Sequence, residues 1–170
     1  PNYNIDIILK SIPKVVNKIN DVVFVFIYFS NPFENKYREL VKDLEIDRHV
    51  YFVATSDDEK ICSYYIDSDI VVSIPSSDSS PSSVYEAIAC NKPIIISEIP
   101  WYHKKFVKNQ HLITVPVRNH NKLATKIIDY LNGKIKLNKK EARYIVESNM
   151  DIIKENKRLE DLYENLLFRK

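Results

Sequence analysis

Apolar residues recur along this 170-residue chain in two alternating patterns. Segments with apolar residues three to four positions apart predict helices, and short runs of β-branched and aromatic residues predict buried strands. The predicted helices are Ile5–Ile19, Asn35–Leu44, Asp57–Ile66, Ser83–Cys90, Tyr102–Val107, Asn121–Leu131, Lys139–Ser148 and Asp151–Leu167. The predicted strands are Val22–Phe29, Val50–Val53, Ile70–Ile74, Pro93–Ile96 and Leu112–Val115.

The alternation of strands with helices predicts an α/β fold. We expect a Rossmann-like, doubly wound parallel sheet with helices on both faces and extra C-terminal helices. Pro13 should kink or divide the first helix, because proline removes an N–H and its ring clashes with the preceding turn. The run Val22–Phe29 predicts a strand covered on both faces. No repeat or long linker divides the sequence, so residues 1–170 are expected to form a single domain.

Composition excludes several classes of function. The net charge of +2 does not favour a nucleic-acid partner. Cys62 and Cys90 lie far apart and lack metal-ligand spacing, so we predict neither a disulfide framework nor a metal site, and a reducing cytosol is the expected compartment. The only glycine is Gly133, which excludes both the G-x-G-x-x-G and the Walker A phosphate loops.

Candidate chemistry is concentrated between Ser76 and Ser97, which reads as a polar loop, a short helix and a buried strand. Asp78 in the loop and Glu86 in the helix are separated by seven residues. A helix N-terminus offers free N–H groups and a partial positive charge to a phosphate. A nearby carboxylate accepts hydrogen bonds from sugar hydroxyls. The stretch therefore predicts a site for a nucleotide sugar.

Two structural interpretations compete with that site. The serine-rich loop has the composition of an ordinary surface turn. Ser83-x-x-Glu86 also fits a capping box, in which the two residues satisfy each other's backbone N–H groups. Such a cap contributes about 1 kcal/mol without any ligand. Spacing alone leaves these alternatives open.

The sequence SDSSPSSVYEAIACNKPIIIS, residues 77–97, resembles the donor-binding signature of group 1 (family 4) glycosyltransferases. That signature is E-x7-E followed by A-M-A-x-G-x-P-V. Asp78 matches its first acidic position, Glu86 matches the second, and Asn91 stands at the glycine. The resemblance implies the C-terminal, nucleotide-sugar-binding domain of a GT-B fold, whose N-terminal acceptor domain lies outside this chain.

The resemblance also implies a role for each residue. It implies retaining transfer of a sugar from a nucleoside-diphosphate donor, without a metal or other cofactor. Asp78 is implied as the catalytic residue beside the transferred sugar, and Glu86 as the residue that holds the ribose. The other implied substrate-binding residues are Ser79, Ser80, Ser82, Ser83, Val84 and Tyr85.

For the whole enzyme, the resemblance implies a cytoplasmic polysaccharide-biosynthesis transferase, with a glycan, lipid or cell-surface acceptor and a membrane surface as a further partner. GT-B enzymes react in the cleft between two domains, so this domain alone is expected to be inactive.

Some departures from the family pattern favour an alternative function. Asp78 is shorter than the commoner glutamate, and serines replace glycines in the loop. The resemblance also implies an Arg/Lys pair before the first helix that neutralises the diphosphate; residues 1–4 contain none, so the pair either lies upstream or is lacking. These differences favour a degenerate, non-catalytic module that binds a nucleotide, a glycan or a protein. His103 and Lys104 are secondary phosphate candidates, although an exposed helix start explains them as well. The C-terminal stripe predicts a packing helix and consists of Leu159, Leu162 and Leu166.

Overall fold

A computed structural model describes residues 2–30, 32–100, 102 and 106–167. Its helices are α1 (Ile5–Val16), α2 (Glu34–Asp43), α3 (Asp58–Asp67), α4 (Ser82–Ala89), α5 (His120–Leu131), α6 (Lys139–Asn149) and α7 (Ile152–Leu167). Its strands are β1 (Phe24–Tyr28), β2 (Val50–Ala54), β3 (Val71–Ser73), β4 (Ile94–Ser97) and β5 (Ile113–Val115). The predicted α/β alternation is confirmed. Residues 103–105 of the predicted helix Tyr102–Val107 lie outside the described residues.

Pro13 lies inside α1 and does not divide it. The missing hydrogen bond costs about 3 kcal/mol in a helix interior. However, Leu9, Ile12 and Val15 on the same helix are completely buried. Each such side chain contributes about 1.5–3 kcal/mol. The packed face of α1 therefore outweighs the cost of the proline.

All paired strands are parallel, and they form two sheets. β1 pairs with β2, with Phe24 opposite Val50. The second sheet has the order β3-β4-β5. Within the described ranges no ladder joins β1 to β3.

Helices cover both faces of the three-stranded sheet, as predicted. Along β4, Ile95 packs in a core cluster with residues of α1 and α5. Its neighbours Ile94 and Ile96 point the other way, into a cluster with residues of α4 and α6. This alternation follows from the two-residue period of a strand. Every residue of β4 is buried.

The two-stranded sheet is covered less completely. Residues of α1 and α2 pack with Val50 and Phe24 in a third cluster. On the other face, Val25 and its cross-strand neighbour Tyr51 are 42% and 54% exposed. The prediction that β1 is covered on both faces is therefore wrong: α1 and α2 pack on one face only.

The C-terminal helix also differs from expectation. Leu159, Leu162 and Leu166 of α7 are exposed, so this stripe does not pack against the described fold. The predicted helix is present, but its predicted packing role is wrong for the described residues. The heptad-like spacing of leucines identified an apolar face without identifying what covers it.

Asparagine takes the backbone conformation that glycine usually supplies. Asn4, Asn91 and Asn109 have positive φ angles of 51°, 59° and 59°. Asn91 lies just after α4, where its N–H bonds the Ile88 carbonyl at 2.8 Å and the Lys92 N–H bonds the Ala87 carbonyl at 2.9 Å. A left-handed residue at this position ends a helix by pairing its last carbonyl groups. Asn91 thus fixes the point where α4 stops and the chain turns into β4.

Candidate functional site

The segment before α1 holds the polar loop that follows β3. The buried side-chain amide of Asn4 donates to the Ile74 carbonyl at 2.8 Å and to the Ser76 Oγ at 2.9 Å. The Ser76 N–H donates to the Asn2 carbonyl at 2.7 Å. The Asn2 side chain both donates to the Ser77 carbonyl and accepts from its N–H, at 2.7 and 2.9 Å. The start of α1 and the loop thus meet at the carboxyl end of β3, the edge where α/β sheets bind ligands.

Helix α4 begins at Ser82, and its N-cap is Pro81 in an extended conformation. Ser83 is therefore already inside the helix, in its second position. A capping box needs the serine at the N-cap, so the structural alternative for Ser83 and Glu86 is wrong. The helix begins one residue before the predicted start.

The N-terminus of α4 presents free hydrogen-bond donors. The first N–H groups of a helix have no intrahelical partner. Across the described chain, the N–H groups of Ser82 and Ser83 make no hydrogen bond to another group, whereas the Val84 N–H donates to the Pro81 carbonyl at 3.1 Å. Ser82 is exposed and Ser83 is half-buried. Two backbone donors are thus available to an anion at this point.

Glu86 lies in the fifth helical position and is exposed. Its Oε2 accepts a hydrogen bond from the hydroxyl of Tyr65, on α3, at 3.1 Å. Burial, and then the charge of Glu86, raise the pKa of Tyr65 far above its ordinary value, so that its hydroxyl remains protonated and a donor. Tyr65 orients one carboxylate oxygen of Glu86 and leaves Oε1 for another donor.

Asp78 is half-buried in the loop, and its Oδ1 accepts from the Ser80 N–H at 3.0 Å. This bond two residues along the chain is a local turn of the kind that aspartate favours. The Ser80 hydroxyl in turn lies 3.1 Å from the Tyr85 hydroxyl. Ser79 is exposed beside them. The loop conformation is therefore set by its own polar groups.

Val84 and Tyr85 occupy different environments. Val84 is completely buried in the core cluster that contains Ile88. Its side chain therefore packs inside the protein and does not reach the surface that Glu86 faces. Tyr85 is half-buried, with its ring 6.4 Å from that of Phe106. Of the two residues, only Tyr85 presents a side chain toward the serine loop.

Sequence reasoning missed three residues that shape this site. Asn2 and Asn4 anchor the loop from more than seventy positions away, and Tyr65 orients Glu86 from α3. No local pattern indicates such long-range contacts. The candidates His103 and Lys104 lie outside the described residues.

No group of three or more His, Cys, Asp or Glu side chains among the described residues lies close enough to hold a metal ion. None of the described helices is both long and apolar enough to cross a membrane.

Solved structures of glycosyltransferases share this fold. HepE of Anabaena, solved with UDP-glucose, is 14% identical with a TM-score of 0.82, over 97% of this chain and 46% of HepE. Sucrose-phosphate synthase of Thermosynechococcus elongatus is 19% identical with a TM-score of 0.83, over 99% of this chain and 44% of the synthase. The C-terminal domain of the group 1 protein LpcC from Francisella tularensis is 18% identical with a TM-score of 0.77, over 89% of this chain and 81% of that domain.

The chain spans a little under half the length of the first two of these enzymes. No curated protein matches it in sequence. The fold, with parallel strands and helices on both faces, is that of a Rossmann-like GT-B domain. The family of glycosyl transferases group 1 matches residues 1–165. The chain therefore belongs to the group 1 glycosyltransferases.

Proposed function

We propose that this chain is the donor-binding domain of a retaining glycosyltransferase, and that the donor is a UDP-sugar. One observation carries the proposal. The free N–H groups of Ser82 and Ser83 at the start of α4 lie between two carboxylates in the sequence, Asp78 and Glu86, at the carboxyl edge of the sheet. The UDP-glucose named for HepE supports the choice of base.

In this proposal, the diphosphate binds at the N-terminus of α4. The aligned peptide dipoles place about half a positive charge there. The N–H groups of Ser82 and Ser83 donate to phosphate oxygens. The loop serines Ser79 and Ser80 line the approach to these donors.

The two carboxylates then recognise the sugars. Glu86 accepts from the ribose hydroxyls through Oε1, while Tyr65 holds Oε2. Asp78 lies on the side of the transferred sugar, where its Oδ2 accepts from a hydroxyl while Oδ1 is held by Ser80. A carboxylate that is already hydrogen-bonded within the protein binds with less loss of side-chain entropy.

The chemistry proposed for this domain is electrostatic. When the sugar leaves, negative charge accumulates on the diphosphate, and N–H groups fixed in advance stabilise that charge without reorganising. The acceptor, a glycan or lipid on the cytoplasmic side, is proposed to enter from a second domain, so the isolated chain binds donor without transferring it.

The test removes one backbone donor while the helix is kept. Proline is well tolerated at the first helical position, and the extended Pro81 before it suits a following proline. Ser82→Pro therefore deletes an N–H, whereas the matched variant Ser82→Ala deletes only the hydroxyl. A hydrogen bond to a charged group contributes about 1.5–3 kcal/mol, so calorimetry should show UDP-glucose binding Ser82→Pro roughly tenfold to hundredfold more weakly than Ser82→Ala.

Two results would contradict the proposal. One is that the folded chain binds neither UDP-glucose nor UDP. The other is that Ser82→Pro and Ser82→Ala bind UDP-glucose with equal affinity, which would mean that the diphosphate does not bind at the N-terminus of α4. Circular dichroism spectra of the two variants serve as the control, and we expect them to match the wild-type spectrum.

A non-catalytic nucleotide-binding module is the second candidate. It is favoured by the neutral residues Asn2 and Asn4, which lie against the loop where the family resemblance implies a basic pair. The transferase and the non-catalytic module are distinguished by measuring UDP release from UDP-glucose. The measurement uses a protein that also contains the acceptor domain. Donor binding without any release supports the module, and release supports the transferase.

A further inference from the structure

A cavity of about 650 Å³ lies at the amino ends of β3 and β4, and we call it the amino-edge cavity. Asp69, just before β3, and Pro93, just before β4, line it together with residues of α5 and of the segment that leads to α6. Cavities of roughly 300–1,000 Å³ are typical of small-molecule sites. The polar loop that follows β3 lies at the opposite edge of the same parallel sheet. β3 has three residues and spans about 10 Å, so this cavity is separate from the proposed donor site.

Three lysines, Lys92, Lys136 and Lys139, line the amino-edge cavity. Lys92 and Lys139 are half-buried. Among the described residues, no carboxylate forms an ion pair with any of the three ammonium groups. By contrast, Lys134, which is not part of the lining, pairs with Asp129 at 3.4 Å. A partly buried charge without a partner is costly, so an anion in the cavity would be stabilised.

Tyr130 adds a neutral donor to the same lining. Burial, and then the charge of Asp69, raise the pKa of Tyr130 above its ordinary value, so that its hydroxyl remains protonated. Within the described part of the chain, this hydroxyl makes no hydrogen bond. It is therefore available to a ligand oxygen.

The rest of the cavity wall is apolar. Leu131, Ile135 and Leu137 are half-buried and pack against the core cluster that contains Ile95. Their contacts with the core hold the wall in place, so the cavity is formed before a ligand enters. Apolar walls combined with a few charged groups are typical of sites for ligands that have both an apolar and a charged part.

We propose that the amino-edge cavity binds a phosphate monoester that carries an apolar substituent. The dianionic phosphate pairs with Lys92, Lys136 and Lys139, because lysines bind phosphate as point charges. The substituent lies against Ile135 and Leu137. A soluble phosphorylated compound and the headgroup of phosphatidic acid both present this chemistry. The site does not depend on donor binding, so its failure and the failure of the proposed function are separate results.

The first test compares two probes. The whole chain is titrated with 1-naphthyl phosphate and with inorganic phosphate in a calorimeter. We expect 1-naphthyl phosphate to bind at least about tenfold more tightly, because its rings bury apolar surface against the cavity wall. Equal affinities for the two probes, or no saturable binding of 1-naphthyl phosphate, would overturn the proposal.

Charge-removing variants then locate the bound phosphate. Lys92→Gln and Lys139→Gln keep the backbone N–H and most of the side-chain stem, and each should weaken the binding of 1-naphthyl phosphate about tenfold. Lys134→Gln is the matched control, since it removes the same charge outside the lining, and it should leave the affinity unchanged. An equal loss in Lys134→Gln would indicate attraction by net charge alone and would overturn the site.

The donor site needs its own control, because it is also proposed to bind phosphate. Ser82→Pro should leave the affinity for 1-naphthyl phosphate unchanged. If Ser82→Pro weakens binding as much as Lys139→Gln does, the probe binds at α4 and the proposal is refuted.

Vesicles distinguish the two sources of the phosphate monoester. The chain is sedimented with phosphatidylcholine vesicles that contain phosphatidic acid and with vesicles of phosphatidylcholine alone. Binding to phosphatidic acid that Lys139→Gln weakens about tenfold supports the site with the lipid headgroup as its ligand. Binding of 1-naphthyl phosphate without binding to either vesicle supports the site with a soluble ligand.

Discussion

The substitution Ser83→Ala distinguishes two possible starts of α4. It should change the free energy of unfolding in opposite directions if Ser83 is the N-cap and if Ser83 lies inside the helix. In a capping box, Ser83→Ala removes a side-chain acceptor and lowers the free energy of unfolding by about 1 kcal/mol. In the present structure, Ser83 is the second residue of the helix and its hydroxyl makes no hydrogen bond among the described residues. Alanine is the better helix former, by up to about 0.5 kcal/mol, so the substitution should be neutral or stabilising.

The two outcomes are separable by urea unfolding. With an m-value of about 2 kcal/mol/M, a loss of about 1 kcal/mol lowers the midpoint by about 0.5 M. A gain of about 0.5 kcal/mol raises it by about 0.25 M. We therefore expect the midpoint of Ser83→Ala to equal or exceed that of the wild type.

A matched control exists at α6. There Asn138 is the N-cap, and its Oδ1 accepts from the Glu141 N–H at 3.2 Å while its Nδ2 donates to Glu141 Oε2 at 2.7 Å. Asn138→Ala should lower the free energy of unfolding by about 1 kcal/mol. If Ser83→Ala lowers the midpoint as much as Asn138→Ala does, the assigned start of α4 is refuted, and with it the free N–H groups proposed to bind phosphate.

Three further predictions concern the rest of the fold. Asn4→Ala removes a buried amide that donates to Ile74 and Ser76, and should cost about 2 kcal/mol in urea unfolding; an unchanged midpoint would contradict that anchoring role. Asn91 has a φ of 59°, so Asn91→Gly should be more stable than Asn91→Ala by about 1 kcal/mol in thermal unfolding. The reverse order would exclude the left-handed turn. Hydrogen bonds, first from Gln110, lower the pKa of Glu141 below its ordinary value of 4.5. Its carboxylate therefore stabilises the fold above pH 4.5 and stops doing so as pH falls below that value. The urea midpoints of wild type and Glu141→Gln should converge in acid. A difference in midpoint that persists in acid would refute this pH dependence.

The limits of sequence reasoning are clearest at the two capping patterns. Ser83-x-x-Glu86 and Asn138-x-x-Glu141 look alike, yet only the second forms a cap. At α4, the helix starts one residue earlier, Val84 packs into the core and Glu86 turns to Tyr65. These tertiary contacts override a local preference of about 1 kcal/mol.

Local patterns predicted the elements well, because periodicity reports which face of each helix or strand is apolar. The loop between β3 and α4 was placed correctly, since a loop that follows a parallel strand lies at its carboxyl edge. The bond from Tyr65 to Glu86 and the anchoring of Ser76 by Asn4 were not predictable, because each joins residues distant in sequence. The exposed leucine stripe of α7 shows another limit. An amphipathic pattern identifies an apolar face but not what packs against that face.

Because the strands form two sheets, helix α1 has a special role: it packs against both of them. Side chains of this one helix belong both to the cluster beneath β3, β4 and β5 and to the cluster beneath β1 and β2. No backbone ladder between β1 and β3 links the sheets within the described ranges. Phe24 and Phe26 of β1 also pack against both clusters, so side chains of α1 and β1 join the two halves. We expect weakening of this packing to let the unit β1–α2–β2 open before the sheet that bears the donor loop.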